Sequence, residues 1–392
     1  MSTFLSPGVF TQEVPSTPPI TGVGTSTAAF IGAVASNVPM PSLPDGSGTH
    51  ALAPVGEPRF VSSYDQFTES FGVADQANLT LAHAVWGFFS NGGTSLYVTR
   101  VSALSAGSEV NAALARLAAI DEIAIVAAPG ASGAAASTRA AVADHCALLQ
   151  DRFAILDGEP TSTISVATIG GALPRNEFAG LYWPWIVVND LRPPAAPALA
   201  PRPDLTVPPS GHVAGIYARV DAERGVHKAP ANEQVRGARG LQRQVSRGEH
   251  DQLNPLGVNV IRSFRGDIRV WGARTWGGQQ NAIQYLSVRR TLSFIRESIE
   301  ESTAWTVFEP NSRPLWERIK RSARDFLTTV WRDGALFGDT PEEAFYVKCD
   351  EGLNPPAVRD LGRVVTEIGV AIVRPAEFVV FRISQGAALP TP

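Results

Sequence analysis

Ser210, His212 and Asp221 are the residue types of a nucleophile, a general base and its orienting acid, and they fall in one short segment. That segment reads as a single helix, capped by Ser210 and running to about Arg224. His212 and Asp221 are nine residues apart, about 900° of rotation at 100° per residue, so they point to opposite faces and cannot relay a proton to each other. No GxSxG elbow is present. Gly22-Val23-Gly24 is followed by Thr27 where a dinucleotide fingerprint needs a third glycine, and no GxxxxGK[ST] loop occurs. His212, His227 and His250 lack metal-ligand spacing, and neither Cys146 nor Cys349 has a near partner. Asp339, Glu342, Glu343, Asp350 and Glu351 could hold a cation, but their spacing is not that of a calcium loop. The expectation is no catalytic residue, no metal and no cofactor.

Composition narrows the remaining classes. The chain has 392 residues, 44% hydrophobic and 18% charged, enough for a packed core. Lys and Arg number 33 against 37 Asp and Glu, a net charge of −4, which disfavours nucleic acid and polybasic membrane binding. No apolar run reaches the ~20 residues of a membrane span. The first 58 residues lack Lys and Arg, so no basic signal-peptide start is expected. Two unpaired cysteines fit a reducing compartment, and synthesis in a cytosol is expected.

The elements that would position any function are mixed. Residues 27–35 (TAAFIGAVA), Ile123–Ala128 and Phe153–Leu156 read as buried strands. Helices are expected after an Asn78 cap (LTLAHAVWGFF), over 108–119 and from Ser137 to about Arg152, giving α/β layering. The seven prolines of 193–209 predict a surface loop, and 228–254 is polar and Arg-rich with little periodicity. Strands are then expected over Val258–Phe264, Ile268–Thr275, Glu343–Cys349, Val364–Val373 and Glu377–Ile383, with helices over Gln279–Thr303 and from Pro314 to about Arg332.

Two features are suited to interaction. Both termini carry strand-like segments bounded by proline: Val9, Phe10, Thr11, Gln12, Glu13 and Val14 between Pro7 and Pro15, and Phe378, Val379, Val380, Phe381, Arg382 and Ile383 after Pro375. Such strands can pair within their own domain or be donated to a neighbour's sheet edge. In the helix from Pro314, five basic residues face the two acids Glu317 and Asp325. Lys320, Arg321 and Arg324 share one face, opposite the stripe of Leu315, Ile319, Ala323, Phe326 and Val330.

Several blocks resemble, in order, the sheath protein of contractile tails: SPGVFTQEVPSTPPITGVGTSTAAFIG (6–32), LAHAVWGFFSNGGTSLYVTRV (81–101), SGHVAGIYARVDAERGVHKAPAN (210–232), GVNVIRSFRGDIRVWGARTW (257–276) and RPAEFVVFRISQ (374–385). Such sheaths occur in phages, tailocins and extracellular contractile injection systems. The resemblance implies an α/β (α+β) fold: an N-terminal arm (1–25), an outer α/β region (26–254), an inner sheath domain (255–374) and a C-terminal strand arm (375–392). It implies a structural subunit that polymerises with itself as a helical stack of hexameric rings around an inner tube protein, with baseplate and tail-terminator or cap proteins as further partners. The arms would be donated between subunits, and a helix in this part of the chain would face inward; on it the basic face of Lys320, Arg321 and Arg324, read from the charge pattern, is the expected contact with the tube. No nucleic acid, no direct membrane insertion and no cofactor are implied. The particle would be a phage tail or a phage-tail-like particle, cytoplasmic or released. A β-rich surface adhesin and an α/β hydrolase are the competing readings; the second lacks its nucleophile–base pair.

Overall fold

The computed structural model describes residues 19–193, 202–278, 281–378 and 380. The chain divides into a large unit, Val23–Arg296 with Ile372–Pro392, and a small unit, Met1–Gly22 with Glu297–Ala371.

The strands of the large unit are β1 (Ala28–Ala33), β2 (Pro58–Val61), β3 (Leu96–Val101), β4 (Ile125–Ala127), β5 (Phe153–Asp157), β6 (Ala179–Trp183), β7 (Ile186–Val188), β8 (Leu205–Val207), β9 (Glu233–Gln234), β10 (Ala238–Leu241), β11 (Val258–Phe264) and β12 (Asp267–Val270). Its helices are α1 (Tyr64–Phe71), α2 (Leu79–Ser90), α3 (Gly107–Leu117), α4 (Ala136–Leu149), α5 (Val166–Gly170), α6 (Ser210–Arg224) and α7 (Arg247–Leu253); α8 (Leu286–Ser302) contains the division between the units.

Among the described residues nine strands form one sheet, in the order β2-β3-β1-β4-β5-β6-β11-β12-β9. Its centre, from β3 to β11, is parallel. Parallel strands are covered on both faces, which is why AAFIGA and FAILD read as near-continuous apolar runs. Alternate residues serve opposite faces: Ala28 and Phe30 join Ile125, Phe153 and Ile155 under α2 and α6, while Ala29 and Ile31 join Val126, Ala154 and Leu156 under α3 and α4. The result is a three-layer α/β/α core. Gly211 and Gly215 let α6 approach α2 closely. A Cβ at Gly211 would stand 2.4 Å from the Ala84 backbone, and one at Gly215 2.3 Å from the Phe88 carbonyl oxygen.

Several expectations need correction. Asn78 precedes α2, but its side chain makes no cap bond to it. Its amide donates to the carbonyls of Phe71, Gly72 and Val73 and its oxygen accepts from Asp75 N, closing the loop between α1 and α2 instead. Ser210 is the first residue of α6 rather than its cap, because its N–H and Oγ–H are both donated to Asp157 at 2.8 Å. The proline-rich stretch holds β8, an edge partner of β7; strand edges tolerate proline neighbours because the unpaired side needs no N–H. The polar 228–254 segment holds the strands β9 and β10, which pair at sheet edges and so need no apolar alternation, and the short helix α7. That stretch does not divide the sheet either: Val258–Val260 of β11 pairs in parallel with Leu181–Trp183 of β6, so residues on both sides of the expected boundary before Gly257 share one core.

In the small unit, α9 (Arg313–Arg332), α10 (Pro341–Ala344), β13 (Phe345–Lys348), α11 (Pro356–Arg359) and β14 (Glu367–Val370) follow the second half of α8. Leu315, Trp316 and Ile319 of α9 bury against Cys349, Trp305 and Val364. The fully buried Asn354 ties the loop after β13 to β14: its amide donates to the Asp350 and Val365 carbonyls at 3.0 Å and its oxygen accepts from Val365 N at 2.7 Å.

Candidate functional site: an open two-stranded sheet, a basic helix and a carboxylate hub

The small unit's sheet consists of β13 and β14 alone among the described residues, antiparallel, with Phe345 opposite Val370 and Lys348 opposite Glu367. A two-stranded sheet is marginal by itself, and each strand leaves one edge of backbone donors and acceptors for a further strand. Tyr346 covers part of one face. Its hydroxyl donates to Glu367 at 2.7 Å, and its ring covers Gly369, where a Cβ would stand 2.1 Å from Cε1. Tyr346 remains 54% exposed, so this face is left for other contacts.

Helix α9 has the expected amphipathic form. Leu315, Ile319, Ala323, Phe326 and Val330 are buried, and Pro314 sits in its first turn, where its missing N–H costs nothing. Of the three basic residues, Lys320 pairs with Glu317 at 2.7 Å and Arg324 with Glu342 at 3.8 Å. Arg321 is exposed and has no carboxylate within ion-pair distance among the described residues. Arg318 lies over the Trp305 ring and pairs with Glu309, so it belongs to the unit's own packing. The face therefore carries one unopposed charge and two weakly held ones.

Of the terminal strand segments, Val9–Val14, Val379 and Phe381–Ile383 lie outside the described residues. Phe378 and Val380 are 73% and 79% exposed and in no strand. Just before them stands a group that residue spacing did not single out. Glu377 Oε1 accepts from Asn254 Nδ2 at 2.5 Å and Arg274 Nε at 3.0 Å; Oε2 accepts from Arg274 Nη2 at 2.7 Å and Tyr285 Oη at 2.9 Å. Burial opposes the charge, but the four donors outweigh it and hold the carboxyl below its ordinary range. In the sequence, Glu377 reads only as the first residue of an apolar run; its donors come from three distant segments.

His212, Asp221, Ser210 and Asp157 of the large unit are each taken up by burial or by pairing within it. His212 is fully buried beside Trp86, with neither ring nitrogen hydrogen-bonded among the described residues; burial presses its pKa down to about 3 and keeps it neutral. Asp221 is paired with Arg290 of α8 at 2.5 and 2.9 Å, away from His212. Ser210 serves Asp157, whose burial raises its pKa to about 6 against the bonds from Gly130 and Ser210 and the charge of Arg139. Among the described residues no group of His, Cys, Asp and Glu could hold a metal ion, and no helix is long and apolar enough to cross a membrane. Glu342, Glu351 and Glu343 are used locally, by Arg324, by Arg313 and by the Asp339 N–H.

Comparison with known proteins gives a consistent result. Residues 105–276 match the phage tail sheath protein central domain, and residues 279–386 the phage tail sheath C-terminal domain. The tail sheath protein of Vibrio phage KVP40 is 27% identical over 179 residues, 45% of this chain and 25% of that protein. That of Burkholderia phage BcepMu is 28% identical over 179 residues, 43% of this chain and 36% of that protein. These matches thus span well under two thirds of the relatives' own length. Among solved structures, the helical sheath of the anti-feeding prophage in its contracted state superposes with a TM-score of 0.76 at 28% identity, covering 98% of this chain and 100% of that one. The contracted sheath complex of the extracellular contractile injection system PVC gives 0.76 at 25% identity, covering 98% and 99%. With two adjoining sheath domains matched in sequence and the fold shared end to end with contracted sheaths, the chain belongs to the contractile tail sheath family.

Proposed function

We propose that this chain is the structural subunit of a contractile sheath, that it polymerises with its own copies as stacked hexameric rings around an inner tube, and that its contraction drives the tube through a target envelope. The observation that carries this reading is the end-to-end likeness to sheath subunits solved in assembled, contracted particles. The reading needs no catalytic step and no cofactor, because the free energy is stored at assembly. The contracted lattice gains buried surface, and at ~25 cal/mol per Å² of apolar area a modest gain per subunit sums over the whole tail. Synthesis in a bacterial cytoplasm, followed by assembly on a baseplate and closure by a terminator or cap protein, completes the scheme.

Two sets of residues are assigned roles within it. The terminal segments Val9–Val14 and Phe378–Ile383 are strands donated between subunits, and the open edges of β13 and β14 support this by offering acceptors that the chain's own described residues leave unused. Lys320, Arg321 and Arg324 face an acidic tube exterior. Exposed ion pairs of roughly 0–1 kcal/mol each suit a sheath that grips in one state and slides in the other.

The test is electron microscopy of the purified protein with and without its tube. Hollow helical tubes are expected from the full chain; dispersed particles would favour an adhesin. Deleting residues 1–15, or truncating after Arg374, should leave a folded subunit by circular dichroism that forms no tubes. Reversing Lys320, Arg321 and Arg324 to Glu should block extended sheath on tubes and leave contracted tubes intact. Sheath-length tubes from the truncated proteins, or normal extended particles from the triple reversal, would remove the respective assignments.

A further inference from the structure

The C-terminal segment is held firmly at Glu377 and exposed at the next residue. Glu377 is 18% exposed and all four of its donors are in place, whereas Phe378 is 73% exposed. The anchor is itself built into the main sheet. The Arg274 backbone N–H donates to Asn259 Oδ1 at 2.7 Å and its carbonyl accepts from Asn259 Nδ2 at 2.8 Å, and Asn259 is a fully buried residue of β11. The Arg274 guanidinium also lies 6.0 Å from the ring centroid of Tyr285, which supplies another of the four donors. Glu377, its donors and Asn259 all belong to the large unit.

We propose that Glu377 is the positioning residue of the C-terminal strand: its carboxylate, held by Arg274, Tyr285 and Asn254, fixes the point from which the chain leaves its subunit and so sets the register in which residues 378–383 enter a second copy. The inference rests on the reading of that segment as a donated strand. Register matters here because the side chains alternate. A slip of one residue exchanges the Phe378 and Val380 face for the Val379 and Phe381 face. A root held by a saturated, charge-assisted cluster allows no such slip, and its ordering is already complete before the second copy binds. A free root would have to be ordered at each docking event. Ordering one backbone residue corresponds to roughly a tenfold change in an equilibrium constant.

The experiment compares the full chain with Glu377→Ala, Arg274→Lys and the truncation after Arg374. It measures the protein concentration at which tubes sediment, hydrogen exchange of residues 373–378 in the unassembled subunit, and the melting temperature. Glu377→Ala should raise the assembly concentration roughly tenfold and speed exchange at 373–378 while leaving the melting temperature within a few degrees. Arg274→Lys, which keeps the charge and loses the fork, should fall between. If Glu377→Ala fails to fold, Tyr285→Phe removes one donor and should still speed exchange in that segment. Wild-type assembly and exchange in Glu377→Ala, with no tubes from the truncated chain, would overturn the role of Glu377 and leave strand donation standing. Tubes from the truncated chain would overturn strand donation itself.

Discussion

Replacing Arg290 with Ala should be among the most damaging single changes in the large unit. Arg290 is 4% exposed, and its guanidinium holds the Asp221 carboxylate in a fork at 2.5 and 2.9 Å. It also donates to the Thr25 carbonyl at 3.0 Å and lies 4.7 Å from the centroid of the Tyr217 ring. Burial disfavours its charge, but Asp221 beside it more than compensates, so the arginine is held protonated. The Asp221 side chain is only 2% exposed, so removing its partner strands a carboxylate in the core. Breaking such a pair costs about 3–5 kcal/mol, and the orphaned Thr25 carbonyl adds about 1 kcal/mol. Against a total of about 5–15 kcal/mol, the variant should lose roughly a third or more of its stability. The control is Arg290→Met with Asp221→Leu, which removes both charges and should recover most of the loss. Urea denaturation followed by circular dichroism measures Arg290→Ala and the four corners of the cycle formed by the wild type, Arg290→Met, Asp221→Leu and the double variant, with an expected coupling of up to about 3 kcal/mol. A loss below about 1 kcal/mol in Arg290→Ala, or a double variant that merely sums the two singles, would refute the argument.

Two further predictions concern the same core. The buried Asp157 has its pKa raised from 3.8 to about 6, so over that range the folded state binds more proton than the unfolded state. By linkage its contribution is most favourable below about pH 4 and falls by on the order of 3 kcal/mol as pH rises through about 6; urea melts from pH 4 to 7 should show this slope in the wild type and lose it in Asp157→Asn. Gly215→Ala places a methyl 2.3 Å from the Phe88 carbonyl oxygen and 2.8 Å from Asn91 Cβ, and should cost about 1–3 kcal/mol in the same assay. Gly107→Ala, with open space at its Cβ, should be neutral or slightly stabilising; equal effects at both glycines would show that close approach of α6 to α2 is not what the glycines serve.

The parallel centre of the large unit was legible because its strands are buried on both faces and written as apolar runs, AAFIGA at β1 and FAILD at β5. The α9 stripe was legible for the complementary reason: one buried face at helical spacing, with charge on the other. The edge elements were not. Glu233–Gln234 and Ala238–Leu241 are strands through backbone pairing with β12 and β7, and their side chains carry no alternation to betray it. Side-chain partnerships between distant segments were equally hidden. Ser210 looked like a helix cap until Asp157, 53 residues away, claimed both its donors. Glu377 looked like the first residue of a strand, because nothing in its neighbourhood shows that Asn254, Arg274 and Tyr285 converge on it. The basic helix face is legible from the helical spacing of its charges, but their partners are not: Glu317 and Glu342 engage two of the three and leave Arg321 unopposed among the described residues.

The division of the chain has a mechanical corollary. The polypeptide passes between the large and small units at Gly22–Val23, at Arg296–Glu297 within α8, and at Ala371–Ile372. A protein made of two domains in series has one covalent connection, and any pull on one domain runs through that single linker. Here traction on the small unit is divided among three peptide connections in parallel, one of them helical. Proteolytic nicking at any one of them would leave the two units joined through the others. Parting the two units covalently therefore takes a break at every one of the three.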